Sequence, residues 1–346
     1  YRYFQRRIAD YLSCYHQAIF DYQIILLYKG ELTMKKKKII GIAISSILVI
    51  LILGLSFVGN YFYNLALNPD TPKDIVFGTP EEAEATSGQV LDSDIQWLLT
   101  ESNYTDETLT SFDNLNLHAY KVLNQNDSNK WVITVHGYTS EGINMSSYAK
   151  NYYDIGYNVL IPDLRSHGLS EGDYIGMGWD DRLDIIDWIN TILEYNPNAE
   201  IVLHGVSMGA ATVSMVSGED LPSNVKAIVA DCGYTSVWDE FAYQLDDLFS
   251  LPEFPILNVS SLVAKVRAGY FLGEASTLKQ VAKSKTPILF IHGDEDDFVP
   301  YYMMEELYNA TSSEKEMLTI KNAGHAKASE VDPETYWTTV SNFTRW

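Results

Sequence analysis

Ile201-Val202-Leu203-His204-Gly205-Val206-Ser207-Met208-Gly209-Ala210-Ala211-Thr212-Val213 is the stretch whose reading decides the fold. An apolar run short enough for a buried strand leads into Gly-x-Ser-x-Gly and then into small residues suited to a helix. Strand, sharp turn and helix in that order form a nucleophile elbow, in which the turn presents the serine hydroxyl. The two glycines let the backbone close tightly around it. A serine hydroxyl is a weak nucleophile at neutral pH and needs a base within hydrogen-bond reach. The pentapeptide alone is weak evidence, so the reading depends on what the rest of the chain supplies.

Outward from this stretch, short apolar strands alternate with helical patterns. Trp131–Val135, Asn158–Ile161, Val225–Ala230, Ile288–Ile291 and Leu318–Ile320 read as strands, and Ile143–Tyr153 and Trp179–Leu193 as helices. Ahead of them, Thr108–Phe112 and Leu115–Leu123 flank Asp113-Asn114 and suit an antiparallel hairpin. The pattern predicts an α/β fold: a mainly parallel sheet of about eight strands with an antiparallel start and helices on both faces. Between residues 236 and 283 the rhythm breaks into aromatic, helix-like segments, which predicts a small helical cap insertion.

In such sheets ligands bind beyond the carboxyl ends of the strands. The unusual residues fall there: His136-Gly137-Tyr138, the elbow, His292-Gly293-Asp294-Glu295-Asp296-Asp297-Phe298-Val299-Pro300, and Ala323-Gly324-His325. With Asp163-Leu164-Arg165-Ser166-His167-Gly168-Leu169-Ser170, these motifs make residues 115–346 resemble the α/β-hydrolase superfamily, in particular its membrane-anchored bacterial serine hydrolases of the esterase and aminopeptidase type. Ser166 departs from the pattern, since many members carry Gly there.

The resemblance implies Ser207 as nucleophile, His325 as general base and Asp296 as the carboxylate that orients it, with backbone N–H groups of Tyr138 and Met208 as the oxyanion hole. Asp231, at the end of Val225–Ala230, is the competing acid, because some members of the fold place it after that strand. His136 and His292 precede glycines at strand ends and read as loop-shaping residues, His204 as a packed core histidine, and Cys232 as a small buried hydrophobe. The histidines show no metal-ligand spacing and the two cysteines, Cys14 and Cys232, no framework, so neither metal nor cofactor is expected.

The amino-terminal part reads differently. Lys35–Lys38 precede a 20-residue uncharged run, residues 39–58, which as a helix would span roughly 30 Å, the thickness of a bilayer core. Lysines on its amino-terminal side predict a single-pass signal anchor with the following domain outside a bacterial cell. The expected organisation is a mistranslated leader or cytoplasmic tail over 1–33, with Met34 as the true start, an anchor over 34–58, an extracellular linker over 59–89, and the hydrolase domain over 90–346. The linker reading rests on Pro69, Pro72, Pro80 and Glu81-Glu82-Ala83-Glu84.

Net charge is −22, and beyond residue 38 the chain carries 16 Lys/Arg against 43 Asp/Glu. A field of that sign repels nucleic acid. The expected activity is cleavage of carboxylic esters through an acyl-enzyme. A serine peptidase acting on small peptides is the alternative, and a surface binding module without catalysis is a third reading.

Overall fold

The computed structural model describes residues 34–77 and 92–345. The leader over 1–33 and the acidic part of the expected linker lie outside them. The described residues divide into two units, with the boundary between Ser56 and Phe57.

The first helix, α1, covers Met34–Leu67. Its stretch Gly41–Leu67 is long and apolar enough to cross a membrane, with a mean hydropathy of 2.6. From Ile47 to Leu53 every side chain is exposed, as is Phe57. The sequence pattern ends this segment at 58 and starts a spacer at 59. The helix instead continues for nine more residues, and Tyr63, Leu65 and Leu67 in those turns are buried. Full burial stabilises side chains of this size by about 1.5–3 kcal/mol each. Lys73 closes the helix by donating to the Leu65 and Asn68 carbonyls at 2.7 and 2.8 Å, the role a cation takes at a helix carboxyl end.

Next come α2 (Asp92–Gln96) and a π-helical turn, Trp97–Glu101. An eight-stranded sheet follows: β1 (Thr105–Thr110), β2 (Asn116–Val122), β3 (Lys130–Val135), β4 (Asn158–Pro162), β5 (Glu200–Val206), β6 (Val225–Asp231), β7 (Ile288–Gly293) and β8 (Lys315–Ile320). The order in space is β1-β2-β4-β3-β5-β6-β7-β8. β1–β2 and β2–β4 pair antiparallel and the remaining pairs are parallel. This is the expected architecture. The helices are α3 (Ser146–Asp154), α4 (Asp181–Tyr195), α5 (Met208–Val216), α6 (Val237–Phe249), α7 (Glu253–Arg267), α8 (Thr277–Val281), α9 (Tyr302–Ala310), α10 (Ala328–Val331) and α11 (Pro333–Phe343).

Side chains alternate along the strands into two cores. Ile133, Leu203 and Ile228 pack with α4, α5 and the end of α1, whereas Val132, Val202 and Val229 pack with α3 and α11. The central strands are apolar on both faces because helices cover both. α6 and α7 fall inside the interval 236–283, where the sequence places a cap.

Beside the sheet, Arg165 is fully buried, and its guanidinium forks onto Asp184 at 2.8 and 2.9 Å and reaches Asp113 at 3.0 Å. Ser166 takes φ 64°, the left-handed conformation that Gly would favour, and its hydroxyl donates to the Tyr174 carbonyl at 2.8 Å.

Candidate active site

Ser207 lies between β5 and α5 with φ 56° and ψ −119°. A non-glycine residue held there costs on the order of 1–3 kcal/mol, which the surroundings must offset. They are tight: a Cβ on Gly205 would sit 2.1 Å from the Gly209 carbonyl oxygen, and one on Gly209 would sit 2.1 Å from the Val135 oxygen. The Ser207 N–H donates to the Asp231 carbonyl at 2.8 Å, which pins the elbow to β6.

The structure brings Ser207, His325 and Asp296 together. The Ser207 Oγ is 2.8 Å from His325 Nε2, and His325 Nδ1 is 2.8 Å from Asp296 Oδ2. All three side chains are buried. Burial alone would raise the Asp296 carboxyl, but the adjacent His325 and His292 rings and their hydrogen bonds outweigh it and hold it well below the usual carboxylate range. An ionised carboxylate only accepts, so His325 carries its proton on Nδ1 and leaves Nε2 to accept from the serine hydroxyl.

Asp296 is held by four donors. Its Oδ1 accepts from the Phe298 and Val299 N–H groups at 3.0 and 2.9 Å. Its Oδ2 lies 3.0 Å from His292 Nε2 as well as against His325. His292 Nε2 also faces the Val299 carbonyl at 2.8 Å, so that nitrogen is the donor. His292 thus shapes the acid loop, as the sequence suggests, and touches the acid directly, which the sequence did not reveal.

Asp231, the competing acid, is fully buried. It accepts from the Tyr336 hydroxyl at 2.9 Å, and its other oxygen has no hydrogen-bond partner among the described residues. Burial pushes its carboxyl up to about 6. His204 stands between the Tyr152 and Tyr336 hydroxyls, both at 3.0 Å, as a core histidine whose burial pushes it down to about 3. Cys232 Sγ, Asp296 and His325 could meet around one ion, with ligand atoms within 4.8 Å of one another. Burial drives the Cys232 thiol well above its ordinary value, which disfavours the thiolate that a metal would need.

Met208 opens α5, and a first-turn N–H has no acceptor inside its helix. The His136-Gly137-Tyr138 loop lies on the other side of the serine: a Cβ on Gly137 would sit 3.3 Å from Ser207 Cβ. His136 Nε2 accepts from the Leu164 N–H at 3.0 Å, so its Nδ1 donates to the Gly137 carbonyl at 2.8 Å and fixes the loop. Tyr138 donates its hydroxyl to the Ala66 carbonyl in α1 at 2.6 Å.

A pocket opens at Ser207 and Met208. Phe62, Tyr63 and Ala66 of α1 line one side, and Phe241, Leu245 and Phe249 of α6 another. Glu240 also lines it, buried, with Oε1 accepting from Gln244 at 3.1 Å and Oε2 without a hydrogen-bond partner among the described residues. Burial, with Asp296 and Asp239 nearby, pushes its carboxyl up to about 8 against the Gln244 hydrogen bond. Neither the place of α1 in the pocket wall nor Glu240 was read from the sequence. The i, i+4 pairs Phe62/Ala66 and Tyr63/Leu67 are the signal that marks the helix face.

The family model for the alpha/beta hydrolase fold matches residues 130–252. The uncharacterized protein YqkD of Bacillus subtilis (strain 168) is 32% identical over 218 residues, which cover 63% of this chain and 72% of the relative. The chain belongs to the α/β-hydrolase superfamily. A thermostable monoacylglycerol lipase of Bacillus sp. (strain H-257) is 24% identical over 234 residues, 58% of this chain and 84% of the lipase. A solved esterase structure from Pyrococcus furiosus superposes with a TM-score of 0.57 at 26% identity, covering 74% of this chain and 94% of the esterase. With this fold and with a lipase and an esterase among the proteins it resembles, the chain is a hydrolase.

Proposed function

We propose that the chain is a serine hydrolase that cleaves carboxylic esters through an acyl-enzyme, anchored in the bacterial membrane by residues 39–58 with its catalytic domain outside. The observation that carries the chemistry is the pair of 2.8 Å bonds from Ser207 through His325 to Asp296. In the proposed sequence, Ser207 Oγ attacks the ester carbonyl carbon while its proton passes to His325 Nε2. The Met208 and Tyr138 N–H groups donate to the oxyanion that develops. Collapse breaks the bond to the alkoxide, which takes the proton from His325 and leaves. Water then gives a proton to His325 and attacks the acyl-serine, and the released carboxylic acid frees Ser207. A fluorophosphonate probe should label the full-length protein and should not label Ser207→Ala; an unlabelled wild-type protein would favour a binding module.

A second reading is cleavage of amides carrying a free amino group. Glu240 favours it, because a buried carboxyl with one unpartnered oxygen in the pocket could hold an ammonium. Turnover of p-nitrophenyl esters against amino-acyl amides separates the two, and faster amide cleavage that collapses in Glu240→Gln would select the peptidase reading. For the topology, protease added to intact cells should cleave the domain; cleavage only after lysis would reverse it.

A further inference from the structure

The end of α1 is built into the site rather than hung from it. Tyr63 and Leu67 lie in the domain core, and a Cβ on Gly59 would sit 2.9 Å from the Val259 backbone of α7. Arg267, also on α7, donates to Asn60 and Asn64 at 3.0 and 2.7 Å and lies 4.1 Å from the Tyr63 ring centroid. The Ile175 N–H donates to the Leu67 carbonyl at 2.8 Å. Helix, cap and sheet loops thus hold residues 59–67 in one place. Phe62, Tyr63 and Ala66 line the pocket together with Phe241, Leu245, Phe249 and Ser207, and the Phe62 and Phe249 rings meet edge to face with centroids 5.4 Å apart.

The same helix bears apolar side chains that no other described residue covers: Ile50 is 67% exposed, Leu53 63% and Phe57 73%. The uncharged sequence that begins at Ile39 runs on past Phe62, and the first charged residue after it is Asp70. A pocket whose wall continues an uncovered apolar helix suits a ligand that is itself long, apolar and dissolved in a bilayer.

We propose that the pocket takes the acyl chain of a membrane lipid ester, with Phe62 and Ala66 of the anchor helix as part of the acyl-binding wall. The substrate class rests on the hydrolase reading above, whereas occupation of the pocket by lipid does not.

The full-length chain, as wild type and as Ser207→Ala, is reconstituted in phosphatidylcholine vesicles containing a phosphatidylcholine with a diazirine at the end of one acyl chain, then irradiated and mapped by mass spectrometry. Adducts on the cap peptide 237–249, in both proteins, are the expected result. Adducts confined to residues 41–58, as any bilayer helix would give, overturn the proposal. Absence of fluorophosphonate labelling alongside cap adducts would instead sink only the hydrolase reading. In the same vesicles the ratio of p-nitrophenyl palmitate to p-nitrophenyl acetate turnover should fall at least about tenfold in Phe62→Trp, which narrows the pocket. An unchanged ratio in a variant that melts like wild type overturns the assignment of the wall. Should Phe62→Trp fail to fold, Phe62→Ala is the substitute and must also change the ratio.

Discussion

The Tyr138 hydroxyl donates to the Ala66 carbonyl at 2.6 Å, so the loop beside the nucleophile is fastened by its side chain to the end of the amino-terminal helix. The same residue's backbone N–H is the proposed oxyanion donor, which ties one side chain's anchoring to one backbone group's position. A donor displaced by a fraction of an ångström stabilises the developing charge less, because such a site works by being arranged beforehand.

Tyr138→Phe keeps the ring and the backbone N–H and removes the hydroxyl. A lost net hydrogen bond costs about 0.5–1.5 kcal/mol, and the abandoned Ala66 carbonyl adds to it if water cannot reach. The expected outcome is a lower melting temperature and a kcat reduced several-fold, with the KM of a short ester little altered. Steady-state kinetics at saturating substrate checks it; an unchanged kcat would detach the loop from the helix.

Asp296→Asn should lower kcat roughly 10³–10⁴-fold with the fold intact, since an amide in place of Oδ2 cannot accept from His325 Nδ1 and the wrong tautomer results. Asp231→Asn should leave kcat within about threefold, because Asp231 bonds Tyr336 rather than the base. The reverse pattern in parallel assays would transfer the acid's role to Asp231.

Most of this site is legible in the sequence because each of its residues follows a strand, and apolar strands are the plainest signal in the chain. His136, Ser207, Asp296 and His325 come from four strand ends that the parallel order of β3, β5, β7 and β8 brings to one edge. The choice between Asp231 and Asp296 was not legible from the residues alone, since both acids follow strands and only three-dimensional reach to His325 separates them. Nor was the course of α1 past residue 58. The i, i+4 pairs Phe62/Ala66 and Tyr63/Leu67 mark one face there against Asn60 and Asn64, but two turns following a long apolar run are too short a pattern to separate a docked helix from a linker. Glu240 was hidden for another reason: acids in a first helical turn are ordinarily solvated partners of the helix dipole, and this one faces the pocket.

Gly209→Ala tests the elbow's packing. The new Cβ would meet the Val135 and His136 carbonyl oxygens at 2.1 and 2.7 Å, backbone atoms that have no flexible side-chain end to yield. The variant should be recovered mainly as insoluble protein, or melt well below wild type by calorimetry. A soluble variant of normal stability would mean that the strand-to-helix turn is wider than described.

Glu240→Gln separates a neutral pocket carboxyl from an ionised one. The folded-state value lies near 8 against an ordinary 4.5, raised by burial with Asp296 and Asp239 nearby. The unfolded chain therefore releases this proton first. Below about pH 4.5 the wild-type carboxyl is neutral in both states and matches the amide. As pH rises from there toward 8, the wild type loses stability relative to the variant, and above 8 the difference stops growing. Melting temperatures of both proteins at about pH 5, 7 and 9 check the sign. The advantage of the variant should be smallest at the lowest pH and nearly level above 8. A difference independent of pH would mean that the carboxyl is ionised throughout, and the pocket would then carry a fixed negative charge suited to an ammonium rather than to an acyl chain.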